Sequence, residues 1–185
     1  MFPDWLTPGQ VAQLESHFEL LTRWNRTMNL TRIRDRAEAI ERHYNEALFL
    51  AQRLPSGALR VADIGSGAGF PGFPVAIARP ECTVTLIESH RRKAVFLRES
   101  ARQLGNVRVF AGRAEDCTGR FDWLISRAVS YDDLRAPLAR LGDNAALLTG
   151  IEEPPGSLGF AWEGPVALPG SKNRFLRFGH RVCFT

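Results

Sequence analysis

Arg60-Val61-Ala62-Asp63-Ile64-Gly65-Ser66-Gly67-Ala68-Gly69-Phe70-Pro71-Gly72 joins a short apolar run to four closely spaced glycines. The run from Arg60 to Ile64 has the length and character of a buried strand, and Pro71 to Ala78 reads as the helix that follows it. Glycines between the two let the chain turn tightly and bring its backbone close to a ligand. The N–H groups that open the helix face the same point. Outward from this unit the alternation continues. Cys82 to Ile87 is a β-branched strand, and His90 to Leu104 is a helix with Ala94, Leu97 and Ala101 on one face. Val107 to Phe110 and Phe121 to Ile125 are further strands, then a helix lies near Asp132 to Leu141 and a strand at Ala145 to Leu148. Strands that alternate with helices predict an α/β fold built on a doubly wound, mostly parallel sheet. Gly, Pro and Glu crowd Gly150 to Gly159 as a loop, and the tail reads as late strands around Pro169-Gly170-Ser171.

Upstream the period is helical. Thr7 before Pro8 is an N-cap with proline at the first helical position. Val11, Leu14, Phe18, Leu21, Trp24 and Met28 then form one apolar stripe. A second helix starts at Asp35, with Glu38 three residues on in a capping-box arrangement. Its stripe is Ile40, Tyr44, Leu48 and Ala51, and Pro55-Ser56-Gly57 ends it. The 185 residues fit one domain, with a helical segment over 1–56 and an α/β core over 57–185.

Composition narrows the class. Hydrophobic residues make up 44% and charged residues 24%, ordinary values for a globular enzyme. Nothing approaches a membrane-spanning run and the start lacks the pattern of a secretory signal, so the cytoplasm is expected. Cys82, Cys117 and Cys183 have no metal-like spacing and read as reduced thiols, with no metal site. Net charge is +4, and of 24 basic residues only Lys93 and Lys172 are lysines. Arginine forks onto phosphate and stacks on bases, which suits RNA, although a GC-rich genome gives the same bias. Nothing requires more than a monomer.

The glycine loop has acidic neighbours. Glu88 ends the second strand, 19 residues beyond Gly69, where a carboxylate can accept from both hydroxyls of a ribose. Gly67-Ala68-Gly69-Phe70-Pro71-Gly72 also satisfies the GxGxxG pattern of dinucleotide binding. Asp63 before the glycines and Glu115 after the third strand tilt the choice. Three acids around one cleft suit a sulfonium cofactor with an amino-acid tail better than a pyrophosphate. Asp63, Gly65, Gly67, Gly69, Glu88 and Glu115 are therefore the candidate cofactor residues.

Trp24-Asn25-x-x-x-Asn29-Leu30-Thr31 with Arg34-Asp35, then Arg42-His43, the glycine loop with Pro71 and Pro74, Lys93-x-x-Phe96-Leu97, and Ile125-Ser126-Arg127-Ala128 together resemble the bacterial small-subunit ribosomal RNA (guanine-N7) methyltransferases, the GidB or RsmG family. The resemblance runs over roughly residues 20 to 150. It implies a Rossmann-like class I methyltransferase fold, S-adenosyl-L-methionine as cofactor, and 16S ribosomal RNA of the small subunit as partner. The implied product is 7-methylguanosine. By position Gly65, Phe70, Ala114, Glu115 and Arg127 would contact the cofactor, with Glu88 on the ribose. Glu46 stands where the family usually has aspartate, and Thr149 where a lysine commonly precedes the glycine. The tail after Gly150 is short for the family.

Guanine N7 carries an exposed lone pair, so in-line positioning can supply most of the catalysis, up to about 7–11 kcal/mol in favourable cases. Arg127 is the candidate catalytic residue, with its guanidinium on cofactor or guanine O6. Asn29, Arg32, Arg34, His43, Lys93 and Arg113 are candidates for RNA contact, with Arg91 and Arg92 beside Lys93. Helix termination by Asn29 and simple burial of His43 are the competing readings there. A small-molecule methyltransferase or nicotinamide-dependent oxidoreductase on the same fold, and a non-catalytic binding module, are the rival functions.

Overall fold

The computed structural model describes residues 1–33 and 35–182, so Arg34 and Cys183, both singled out above, lie outside the described residues. The elements are α1 (Pro8–Met28), α2 (Arg36–Ala39), a π-helical turn (Ile40–Asn45), α3 (Glu46–Arg53), β1 (Arg60–Ile64), α4 (Gly72–Ala78), β2 (Thr83–Glu88), α5 (Arg91–Ser100), β3 (Val107–Ala111), β4 (Trp123–Arg127), α6 (Tyr131–Leu141), β5 (Asn144–Thr149), β6 (Phe160–Trp162), β7 (Val166–Ala167) and β8 (Phe175–Arg181). Short 3-10 turns at Ala101–Gln103, Ala114–Asp116 and Gly156–Leu158 complete the chain trace.

The strands form one sheet in the order β3-β2-β1-β4-β5-β8-β6, with β7 on β8. The first five pair in parallel, and β8, β6 and β7 add antiparallel ladders. The α/β expectation therefore holds, and the sheet is a Rossmann-like one whose strand order reverses beside β1. Alternate residues feed two cores. Val61, Ile125, Ala146, Leu148 and Leu176 join the cluster that holds α1, α3, α4 and α5, while Ala62, Ile64, Leu124, Ala145 and Leu147 meet α6.

Helix starts follow local chemistry. Thr7 accepts from Gln10 N and the Gln10 side chain returns to Thr7 N, a complete capping box. Asp35 accepts from Glu38 N at 2.8 Å. The second helix is not regular throughout. Six residues, Ile40–Asn45, widen into a π-turn in which His43 and Tyr44 are buried against Phe70. The fourth strand begins at Trp123, two residues later than its apolar run suggests. Asp122 is occupied instead in accepting from Arg60 N at 2.7 Å and from the Arg60 guanidinium. β6 was not legible as a strand, because its three residues gain their ladder only from distant β8.

Arg79 closes the join between α3 and β1. Its guanidinium donates to the carbonyls of Ala51, Leu54, Pro55 and Gly57 at 2.8–3.3 Å. These include the unpaired carbonyls that every helix leaves at its end. Arg79→Met should lower unfolding free energy by about 2–4 kcal/mol, since it strands several acceptors at once. Urea denaturation measures this, and a midpoint equal to the parent's would remove the role.

Candidate active site

β1 lies between β2 and β4, and the register places Ile64 beside Ile87 on one side and Ser126 on the other. Glu88 and Arg127 are each one residue further along, so they flank the first loop residue, Gly65. Ligands in open α/β sheets bind at the carboxyl ends of strands where the strand order reverses. The loop is held from beneath. Gly65 N and Ser66 N both donate to Ile87 O at 3.0 Å, and Ser126 Oγ donates to Ile64 O at 2.8 Å. Gly65, Gly67 and Gly69 all have positive φ, which suits glycine. A Cβ on Gly67 would meet nothing closer than Gly65 O at 3.9 Å, so the outer face of the loop is open to a ligand.

Two clefts open at this edge, and Ala128 lines both. Ala128 has φ 57, the left-handed region an alanine seldom adopts. The first cleft, about 300 Å³, is lined by Gly65, Arg113, Ala114, Glu115, Val129 and Asp133 among others. Glu88 lies between Ile87 and Ser89, which line this cleft, and has both oxygens engaged, accepting from Gly67 N at 2.8 Å and His90 N at 2.7 Å. Glycine backbone, an open loop face and carboxylates fit an adenosine moiety carrying positive charge. The second cleft, also about 300 Å³, is lined by Arg42, Glu46, Arg127, Leu148, Thr149 and Arg174 among others. Three cations against one carboxylate make it basic.

Asp63 does not face either cleft, contrary to the sequence expectation. It is fully buried, and its Oδ2 accepts from Gly72 N at 2.9 Å, so the carboxyl secures the loop to the start of α4. Burial pushes its pKa up to about 7, against hydrogen bonds from Gly72 and Ser66 that lower it. The folded protein therefore holds this proton more tightly than the unfolded chain, whose value is 3.8. Stability from this group is greatest below pH 3.8 and is lost as pH rises toward 7. Asp63→Asn keeps an acceptor for Gly72 N and cannot ionise. Its stability relative to the parent should improve steadily as pH rises through that window. A difference independent of pH, measured by denaturation at several pH values, would contradict the assignment.

Arg127 is at the mouth of the second cleft with its side chain 22% exposed. It donates to Arg42 O at 2.9 Å and to His43 Nδ1, and lies 3.7 Å from Glu46 Oε2. Burial lowers the guanidinium pKa, which Glu46 opposes. Glu46 is itself buried and ion-paired to Arg174. Burial raises the Glu46 pKa while Arg174 and Arg127 pull it down. Phe70 stacks on His43 at 4.7 Å and meets Tyr44 edge-on at 4.9 Å, so it links the loop to the helices and lies inside. His43 is likewise buried, which favours the burial reading given above over the expected contact with RNA. Asn29 is the left-handed C-cap of α1 and is exposed, as are Arg32, Arg91, Arg92 and Arg113. Lys93 is half-buried in the first turn of α5. Of these basic candidates only Arg113 lines the first cleft, and none lines the second.

Sequence reasoning missed Arg174, because its partner Glu46 is remote in the chain, and it missed His17. His17 lies under the glycine loop on α1, where Nδ1 is 2.7 Å from Tyr44 Oη and the ring stacks on Phe73 at 4.2 Å. Its place on the apolar stripe of α1, between Leu14 and Leu21, was the available signal. Among the described residues no cluster of three or more potential metal ligands occurs, and no helix is long and apolar enough to cross a membrane.

Comparison with known proteins gives a consistent picture. Residues 10–143 match the family model described as rRNA small subunit methyltransferase G. The ribosomal RNA small subunit methyltransferase G of Stenotrophomonas maltophilia (strain K279a) is 47% identical over 130 residues, covering 68% of this chain and 59% of that protein. The protein of the same name from Xanthomonas euvesicatoria pv. vesicatoria (strain 85-10) is 46% identical over 122 residues, covering 64% and 57%. The matches thus span a little under three fifths of the length of these relatives. Among solved structures, a SAM-dependent methyltransferase from Aquifex aeolicus superimposes with TM-score 0.63 at 16% identity, covering 80% of this chain and 95% of that one. A precorrin-6y C5,15-methyltransferase from Geobacter metallireducens gives 0.57 at 14% identity, covering 74% and 87%. The fold is that of the class I methyltransferases, and with a family match across most of its length, the chain belongs to the rRNA small subunit methyltransferase G family.

Proposed function

We propose that this chain transfers a methyl group from S-adenosyl-L-methionine to N7 of a guanine in 16S ribosomal RNA. The observation that carries the reading is the row Glu88–Gly65–Arg127 at the strand ends, with an acidic cleft on one side and a basic cleft on the other. The acidic side suits a positively charged adenosine cofactor, and the basic side suits a nucleotide. Bound cofactor supplies an electrophilic methyl on its sulfonium. The chain's own residues do the rest. Glu88 accepts from ribose hydroxyls, exchanging its bond from Gly67 N for them. Ala114 and Glu115 border the adenine, and Gly65 admits the backbone approach that a side chain would prevent. Arg127 directs N–H donors at guanine O6 or the cofactor, which orients the acceptor while the positive charge passes from the sulfonium to the guanine ring. N7 needs no base to activate it, so positioning dominates. Asn29, Arg32, Arg34, Lys93 and Arg113 are proposed as contacts to the RNA, with Arg113 lining the first cleft.

The reading is tested by labelled methyl transfer to small ribosomal subunits that lack the modification, with the product nucleoside identified. The expected product is 7-methylguanosine. Label in another nucleoside, or none, overturns the substrate assignment. Calorimetry with S-adenosyl-L-methionine against NAD tests the cofactor separately, since Gly67 to Gly72 fits the dinucleotide pattern as well.

A further inference from the structure

A continuous hydrogen-bonded path connects the end of α1 to Arg127. Asn25 clasps Thr31 through both backbone groups, with Thr31 N donating to Asn25 Oδ1 at 2.9 Å and Asn25 Nδ2 donating to Thr31 O at 3.0 Å. This holds the chain that leaves α1 against the helix it has just left. Thr31 Oγ1 accepts from Ile33 N at 3.1 Å and stands 2.9 Å from His43 Nε2. On its other edge His43 Nδ1 meets Arg127 Nη2. A guanidinium only donates, so Nδ1 must present its lone pair. The remaining proton is then on Nε2, and it points at Thr31 Oγ1, whose two lone pairs Ile33 and His43 together fill. One face of the imidazole lies on Phe70, the residue after the loop glycines. His43 is thus held on two edges and a face, in one tautomer.

We propose that His43, set in its Nε2–H tautomer by Thr31, is a positioning residue that aims the Arg127 guanidinium across the mouth of the basic cleft. The Asn25–Thr31 clasp is then the contribution of the N-terminal segment to the reaction, and its chemistry accounts for an asparagine and a threonine at those places. Protonation of His43 would set an N–H against the guanidinium. Burial, with the Arg127 charge adding to it, holds the imidazole pKa down to about 3, so it stays neutral. The inference rests on the reading that Arg127 works at the methyl centre.

Thr31→Val removes the acceptor at nearly constant shape, and Thr31→Ser restores it. In the parent, ¹⁵N spectra of the histidines should show His43 as a single Nε2–H tautomer between pH 5 and pH 8, about two units and more above its pKa. Side-chain ¹⁵N spectra should show restricted Arg127 Nη protons in the parent and in Thr31→Ser, and averaged ones in Thr31→Val. In the transfer assay Thr31→Val should lower kcat about 10- to 100-fold with KM little changed, and Thr31→Ser should recover most of it. In an Arg127→Ala background Thr31→Val should cost less than about 2-fold, because the route it acts through is gone. An Nδ1–H tautomer, Arg127 resonances unmoved by Thr31→Val, or an equal loss in both backgrounds would each overturn the proposal. If the parent transfers no methyl group, the functional reading has failed, and the two spectroscopic results still decide whether His43 positions Arg127.

Discussion

Arg127→Ala is expected to lower methyl transfer by about 100-fold, the scale of loss when a reacting group is displaced from its in-line position. The expectation follows from placement. Arg127 is the last residue of β4, next to Ala128 of the cleft that Gly65 and Glu115 line, and its guanidinium is held by Arg42 O, His43 and Glu46. A side chain restrained by three partners has little orientational freedom left to lose when a substrate arrives. Folding should suffer much less than activity. Glu46 keeps its ion pair to Arg174, so no buried carboxylate is left alone. His43 Nδ1 and Arg42 O lose a donor, but the space the guanidinium vacates joins the second cleft, so water can replace it. Labelled transfer, calorimetry with S-adenosyl-L-methionine and a thermal melt on the same preparation measure the three quantities. Transfer and cofactor affinity both near the parent's would remove Arg127 from the site. Arg127→Lys keeps the charge and loses the fork, so an activity near that of Arg127→Ala would identify geometry, not charge, as the contribution.

The glycine loop and the strands around it were legible because their signals are local. Apolar runs, turn glycines and cap residues each report on a few neighbouring residues, and the sheet that results brings Glu88 and Arg127 to one edge by register alone. The parts that were not legible depend on contacts between distant segments. Asp63 looks from sequence like a ligand at a strand end, yet its carboxyl turns inward because Gly72 N has no helical partner and lies within reach. His43 reads from sequence either as an RNA contact or as a buried histidine, and only the fold, which places it in the π-turn at Ile40–Asn45 against Arg127, decides between them. Arg174 carries no signal at all in its own stretch, since what fixes its role is Glu46 on the far side of the sheet's carboxyl edge. Thr149, which lacks the cation expected at that place, accepts from Arg177 Nε at 3.2 Å, and Arg174 lines the same basic cleft. A cation is thus supplied to this cleft by Arg174, in the turn before β8, beside Arg42 and Arg127.

Gly65→Ala should abolish measurable binding of S-adenosyl-L-methionine and destabilise the fold by about 2–5 kcal/mol, combining left-handed strain with overpacking. Gly65 has φ +72, and a Cβ there would lie 2.4 Å from Val129 Cγ2. Neither side can yield easily. Gly65 N is bonded to Ile87 O at 3.0 Å, and Val129 is a short, β-branched side chain between Ala128, itself at φ 57, and Ser130, the N-cap of α6. Relief would have to move the loop that faces the cofactor or the turn that divides the two clefts. Gly67→Ala separates the two causes. It has φ +57, so it carries similar backbone strain, but its Cβ would meet nothing nearer than 3.9 Å. Gly67→Ala should therefore cost only about 1–2 kcal/mol of stability. The excess at Gly65 belongs to Val129, and Val129→Ala added to Gly65→Ala should restore it. Equal losses at the two glycines, or no recovery in the double variant, would show that the loop does not depend on the Val129 contact. Cofactor affinity in the double variant then reads what the glycine contributes through its backbone alone.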